Sequence, residues 1–218
     1  MDVQDKNLPV LSPEEVRVLG SLIEKSKTTP EYYPMTVNGL TAACNQKTSR
    51  KPVVQYDEQT VVLTLDSLKR KGLVSTVTGG SSRTVKYKQN LATVYQLMPE
   101  EMAIIGLLLL RGGQTPGELK TNAGRMYEFD SLEEVQEVLE RLMTGTAPFV
   151  LQLPRKPGQK EVRYVHLLSG QPDLTQEEVY DESPRPAYAE LESRVSRLEQ
   201  ELSSLKSAFE SLMKELNG

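Results

Sequence analysis

Apolar residues recur along the chain at two spacings, and the alternation between them lays out the elements. From Ser12 to about Lys27, Val16, Leu19, Leu22 and Ile23 fall at helical intervals, with Ser12 placed as an N-cap and Pro13 at the first helical position. Pro30 and Pro34 end that pattern, and Thr36 then caps a short helix through Val37, Leu40 and Ala43. A polar loop from Gln46 to Gln55 leads to Asp57, the expected cap of a third helix whose stripe is Val61, Val62, Leu65 and Leu68 and which Gly72 stops. Leu73 to Thr78 and Arg83 to Gln89 are β-prone runs joined by Gly79, Gly80, Ser81 and Ser82, and read as a hairpin.

Three helices followed by a hairpin is the order of a winged helix, the helix-turn-helix variant whose hairpin forms the wing. The order then repeats. Pro99 to Arg111 is apolar and helical, Thr115 and Pro116 open a short helix to about Ala123, and Ser131 to Met143 carries Leu132, Val135, Val138, Leu139 and Leu142. A second hairpin, Phe149 to Leu153 and Glu161 to Leu167, turns at Pro157 and Gly158. The expected fold class is therefore mainly α with small β hairpins (α+β). Two tandem winged-helix domains, 1–92 and 93–170, precede a linker at 171–186 and a C-terminal coiled-coil helix at 187–217.

The last of these rests on a heptad seam. Tyr188, Leu191, Val195, Leu198, Leu202, Leu205, Phe209, Leu212 and Leu216 follow alternating steps of three and four, with leucine at every d position. In a parallel pair Arg194 would face Glu199, and Glu201 would face Lys206, both attractive. The expectation is a homodimer joined by Leu191, Val195, Leu198, Leu202, Leu205, Phe209, Leu212 and Leu216. The alternative is a single helix folded back on its own domains.

Charge changes this picture by its distribution. The chain of 218 residues has a formal net charge of -4, which argues against a protein given over to neutralising phosphates. Yet residues 1–90 hold 13 Lys and Arg against 9 Asp and Glu, residues 91–170 hold 8 against 10, and residues 171–218 hold 5 against 11. Within 47–88, Lys47, Arg50, Lys51, Lys69, Arg70, Lys71, Arg83, Lys86 and Lys88 oppose only Asp57, Glu58 and Asp66. With the apolar stripe turned inward, Gln59, Leu63, Ser67 and Arg70 would face outward on the third helix, and Gln and Arg can read base edges. Lys47, Arg50, Lys51, Gln59, Lys69, Arg70, Lys71, Arg83, Lys86 and Lys88 are thus the candidate contacts to double-stranded DNA. Against that stands the start of the helix, Asp57 and Glu58, where a recognition helix usually meets the bases. The third helix of the second half exposes Glu133, Glu134, Glu137 and Glu140, which would repel nucleic acid and suit a protein-contact or spacer module.

Catalytic chemistry finds little support. The chain has one Cys and one His, Cys44 and His166, in different expected domains, whereas nucleophilic catalysis would pair them. No Cys-x-x-Cys pair or His-Glu-x-x-His motif is present, and the glycine pairs at 79 and 112 lack the Lys-Ser/Thr of a phosphate loop. No enzyme activity, metal or cofactor is expected. A lone cysteine and an N-terminus without a basic start or apolar core point to the cytoplasm. The longest apolar run, Met102 to Leu110, is too short to span a membrane and reads as a buried helix.

Four segments are long and specific as phrases: TTPEYYPMTVNGL at 28–40, ACNQKTSRKPV at 43–53, LLLLRGGQTPGEL at 107–119 and RMYEF at 125–129. On these the chain resembles the YceH family of uncharacterised bacterial proteins, over most of its length. The resemblance implies the tandem winged-helix fold and a bacterial source; it brings no activity, ligand or catalytic residue. The resemblance implies an acidic residue at the position of Lys51, so the loop is expected to be more basic here. Two functions from different classes are open, beside a small-molecule or redox sensor acting through a pocket between the modules, for which no residue names a ligand. One is a dimeric DNA-binding protein acting as a transcriptional regulator. The other is a non-enzymatic adaptor similar to the winged-helix subunits of bacterial chromosome-condensation complexes, holding unknown protein partners without contacting DNA.

Overall fold

A computed structural model describes residues 8–78, 84–144, 147–155 and 161–172, together with Arg197, Leu198, Leu202 and Lys206. The chain divides into two units, one through Thr175 and one from Gln176. The first is a mixed structure of helices and two small antiparallel sheets. In order it contains α1 (Pro13–Thr28), a 3-10 turn (Pro30–Tyr32), α2 (Val37–Cys44), α3 (Glu58–Arg70), β1 (Val74–Val77), β2 (Lys86–Gln89) and α4 (Leu91–Tyr95). There follow α5 (Pro99–Arg111), α6 (Pro116–Ala123), α7 (Leu132–Thr144), β3 (Val150–Gln152) and β4 (Tyr164–His166).

The helix starts follow from their caps. Ser12 Oγ accepts from Glu15 N while Glu15 Oε2 accepts from Ser12 N at 2.8 Å, a reciprocal box that closes the first turn of α1. Thr36 caps α2, Asp57 caps α3, and Thr115 repeats the reciprocal box with Glu118 at α6. Gly72 and Gly112 adopt φ of +74° just past α3 and α5, a conformation that costs glycine little.

α1 and α5 are the two central helices. Every residue from Glu15 to Ile23 and from Met102 to Leu110 is buried, which a helix achieves only when covered on all sides. Each carries a glycine where the other approaches: a Cβ on Gly20 would meet Leu109 Cβ at 3.0 Å, and one on Gly106 would meet Ile23 Cγ2 at 2.8 Å. The halves are also tied by backbone bonds, Leu11 N to Leu168 O at 2.7 Å and Lys51 N to Leu110 O at 2.8 Å. One apolar core accordingly runs through both halves, from Leu19 and Leu65 to Leu139 and Phe149.

The two sheets pair in antiparallel register, Val74 opposite Gln89 and Val150 opposite His166. Each gains a single extra bridge from the segment before the second helix of its half, Met35 to Tyr87 and Gln114 to Tyr164. Those bridges, the 3-10 turn and α4 have no counterpart in the sequence reading. On α3 the inward stripe is Val61, Thr64, Leu65 and Leu68. Val62, expected inside, is 37% exposed; Thr64 takes its place because its hydroxyl donates to Thr60 O at 2.7 Å and enters the core satisfied.

Most of the expected coiled coil lies outside the described residues: Leu191, Val195, Leu205, Phe209, Leu212 and Leu216, with the 173–186 part of the linker. Leu198 and Leu202 are helical and exposed, at 56% and 69%. Among the described residues no helix is long and apolar enough to cross a membrane.

Candidate nucleic-acid interface

The surface that the sequence singles out is carried by the loop after α2, by α3 and by β2. Two buried arginines shape the loop. Arg17, on α1, donates from Nη1 to Cys44 O at 3.2 Å and from Nη2 to Pro52 O. Arg50 donates through Nε and Nη2 to Ala43 O, at 3.2 and 2.9 Å, and meets Glu24 of α1 through Nη1–Oε1 at 3.0 Å and Nη2–Oε2 at 2.6 Å. Between them the guanidinium groups close the last carbonyls of α2, which a helix leaves without internal partners. They also pin the loop against α1.

Arg50 is therefore not available as a DNA contact, and that expectation is corrected: its residue is 7% exposed and its side-chain donors are spent inside the protein. Burial alone would raise the Glu24 carboxyl, but the Arg50 hydrogen bonds and charge outweigh it and hold Glu24 below its ordinary range. Lys71 is drawn off in a similar way. Its Nζ lies 2.6 Å from Glu15 Oε2 and 2.9 Å from Val10 O, and Glu15 is likewise held down against its burial by Lys71 and the Ser12 and Ser67 hydrogen bonds. Ser67, expected outward, is half-buried on that side.

The other candidates are reachable. Lys47, Lys51, Gln59, Lys69, Arg70 and Lys88 are exposed and Lys86 is half-buried; Arg83 lies outside the described residues. Lys69 sits 3.5 Å from Asp66, a loose exposed pair that contributes little. On β2, Lys88 stands opposite Ser75 and Lys86 opposite Val77. Lys86 also borders a hollow of about 400 Å³ with Tyr32, Met35 and Ala42.

The outer face of α3 is mixed. Asp57 caps the helix by accepting from Thr60 N at 2.7 Å, and its hydrogen bonds to Thr60 lower its carboxyl, so it stays charged. Glu58 accepts from Asn38 Nδ2 at 3.2 Å. Farther along come Gln59 and Leu63, the latter 62% exposed, and Arg70 closes the helix. The acidic character is thus at the N-terminal end and the basic character at the C-terminal end. In the second half Glu133, Glu137 and Glu140 are exposed on α7, while Glu134 is occupied by Tyr127 OH at 3.0 Å and Asp130 N at 2.8 Å.

Cys44 and His166 occupy α2 and β4 respectively. Burial pushes the Cys44 thiol up to about 11, against the opposing pull of Ser21, Arg17 and Arg50, which leaves it almost wholly protonated and unreactive at neutral pH. Among the described residues no group of three or more His, Cys, Asp or Glu side chains could hold a metal ion. Arg17 and Glu24 are the residues that sequence reasoning missed. Their signal was a charge within the apolar run of α1, at Arg17, and a carboxylate one residue beyond its end, at Glu24.

Residues 11–159 match a family described as a protein of unknown function, DUF480. The chain is 44% identical over 211 residues to the UPF0502 protein YceH of Escherichia fergusonii, covering 94% of this chain and 97% of the relative. It is 43% identical, with the same coverage, to the UPF0502 proteins YceH of Salmonella paratyphi A and Salmonella schwarzengrund. With both the profile and the full-length relatives spanning the region just described, the chain belongs to the DUF480 family of YceH proteins.

Proposed function

We propose that each half is a winged helix and that the protein is a non-enzymatic, dimeric DNA-binding protein, a regulator that touches DNA through its first half. The observation that carries this reading is a set of exposed cations without counterions in a chain of net charge -4: Lys47, Arg70 and Lys88 make no ion pair among the described residues. They lie on the three parts that meet DNA in a winged helix, the helix-turn-helix loop, the third helix and the wing. Because Asp57 and Glu58 guard the start of α3, the helix approaches by its C-terminal half, with Lys69 and Arg70 on phosphates, and Gln59, beside the two carboxylates, lies at the end turned away from the DNA. The tandem fold is supported by the repeated helix order and by the matching bridges at Met35 and Gln114. Pairing of two chains as a coiled coil is supported by the exposure of Leu198 and Leu202 on successive turns.

The test is fluorescence anisotropy of the full chain on mixed-sequence duplex DNA. Four or more phosphate contacts should weaken binding about a hundredfold or more between about 50 and 200 mM salt. No binding at the lower salt overturns the reading. A second reading, an adaptor for protein partners, is favoured by the neighbouring exposed Val62 and Leu63 on α3, flanked by Glu58 and Asp66. In that case Leu63→Glu abolishes retention of a partner that the unaltered chain captures, and DNA affinity is negligible throughout.

A further inference from the structure

We infer that the cleft between the two halves is a binding site for a small phosphorylated anion. The cleft encloses about 390 Å³, within the range of small-ligand sites. It lies apart from α3 and β2 but borders the loop after α2, whose Gln46, Thr48 and Ser49 line it on either side of Lys47; the inference rests on the cleft's own residues and not on the DNA reading.

Its charge is one-sided. Lys25, Arg111 and Arg125 line it, and Glu24 is the one carboxylate among the lining residues. Glu24 is shared by Arg50, at 3.0 and 2.6 Å, and Lys25, whose Nζ lies 3.3 Å from Oε2, so with Arg50 behind the wall four cations stand against one carboxylate. Arg111 spans the halves by donating from Nη2 to Ser49 Oγ at 2.7 Å. Ser49 meets it with φ of +60°, an uncommon conformation for a residue with a side chain, which turns the loop into the cleft. Arg125 is exposed and, among the described residues, has neither an ion pair nor a hydrogen bond.

Several helices end at this cleft, and open C-terminal carbonyls there would repel an anion. Some of these carbonyls are occupied from within. Glu24 O accepts from Thr28 Oγ1 at 3.0 Å, Lys25 O from Thr29 N at 3.1 Å, Leu110 O from Lys51 N at 2.8 Å and Ala123 O from Tyr127 N at 3.0 Å. What faces the cleft is then a guanidinium and ammonium set suited to an oxygen-rich dianion, with Leu107 and Met126 offering an apolar wall to the uncharged part of a ligand. All four segments that carry the family resemblance reach this cleft: Thr28, Ser49, Arg111 and Arg125 come one from each.

Calorimetric titration of the full chain with inorganic pyrophosphate at low ionic strength tests the site, using Arg125→Glu and, as a charge-matched change away from the cleft, the exposed Arg155→Glu. Circular dichroism checks that both variants fold. Saturable binding at one site per chain is expected for the unaltered protein and for Arg155→Glu, weakened about ten- to a hundredfold in Arg125→Glu. Absence of saturable heat up to about 10 mM, or equal weakening by both substitutions, overturns it.

Discussion

Gly106 of α5 lies so close to Ile23 of α1 that a Cβ placed on it would stand 2.8 Å from Ile23 Cγ2 and 2.8 Å from Met126 Cε. The methionine tip can swing aside, but the Ile23 methyl belongs to a branched side chain with little rotamer freedom in a helix. Gly106→Ala should therefore cost about 1–3 kcal/mol by overpacking, more than the roughly 1 kcal/mol that alanine gains over glycine within a helix. Gly117→Ala, where the nearest atom is Thr115 Oγ1 at 3.9 Å, should be neutral or slightly stabilising. Thermal unfolding followed by circular dichroism decides this, and a Gly106→Ala midpoint at or above that of the unaltered chain refutes the close packing. Because one core joins the halves, residues up to Thr175 should melt in a single transition.

The same contact shows where reading from sequence stopped. Helix starts were legible because their signals are local: Ser12, Thr36, Asp57 and Thr115 each announce a cap and each makes the hydrogen bond. α4 was not, since it is five residues long, buries only Leu91 and has no side-chain cap. The candidate interface was half legible. Lys47 and Arg50 look alike in a charge count, and what separates them is Glu24, 26 residues away from Arg50 and on another helix. Lys71 is decided by Glu15 at a separation of 56 residues. Nothing in the local pattern marks such pairs, and the meeting of α1 with α5 is equally remote in sequence.

Arg50 and Lys47 should therefore separate in experiment. Arg50→Met leaves Glu24 without its principal partner and opens the Ala43 carbonyl, and breaking a buried pair on one side costs about 3–5 kcal/mol. Lys47→Glu, on an exposed side chain, should leave stability within about 0.5 kcal/mol and lower DNA affinity wherever the protein binds DNA. Chemical denaturation measures the first effect and anisotropy the second. An Arg50→Met protein with unaltered stability would restore Arg50 to the surface.

Glu24 and Glu15 both have carboxyls held below the ordinary value of 4.5. A carboxyl depressed in the folded state contributes stability that is present above the unfolded pKa and is lost as pH falls through the folded pKa. The protein should hold its melting temperature from neutral pH down to about pH 5 and lose it below about 4.5. Glu24→Gln should melt lower than the unaltered chain at pH 7, with the gap narrowing on acidification. Parallel curves from pH 7 to 3 would mean that the Arg50 pair does not set the acid limb.

Leu198 and Leu202 expose 56% and 69% of their surface on a helix, an arrangement that leaves apolar area to be buried by association. At heptad positions d and a they would sit in the seam of a two-stranded coil. Joint Leu198→Glu and Leu202→Glu substitution places two carboxylates in that seam, and sedimentation should then report a monomer where the unaltered chain reports a dimer. The substitutions lie beyond Thr175, so the melting of the first unit should change only through the loss of pairing. A chain that is monomeric before substitution would instead support the folded-back helix, whose disruption by the same two changes would lower the melting temperature of the first unit itself.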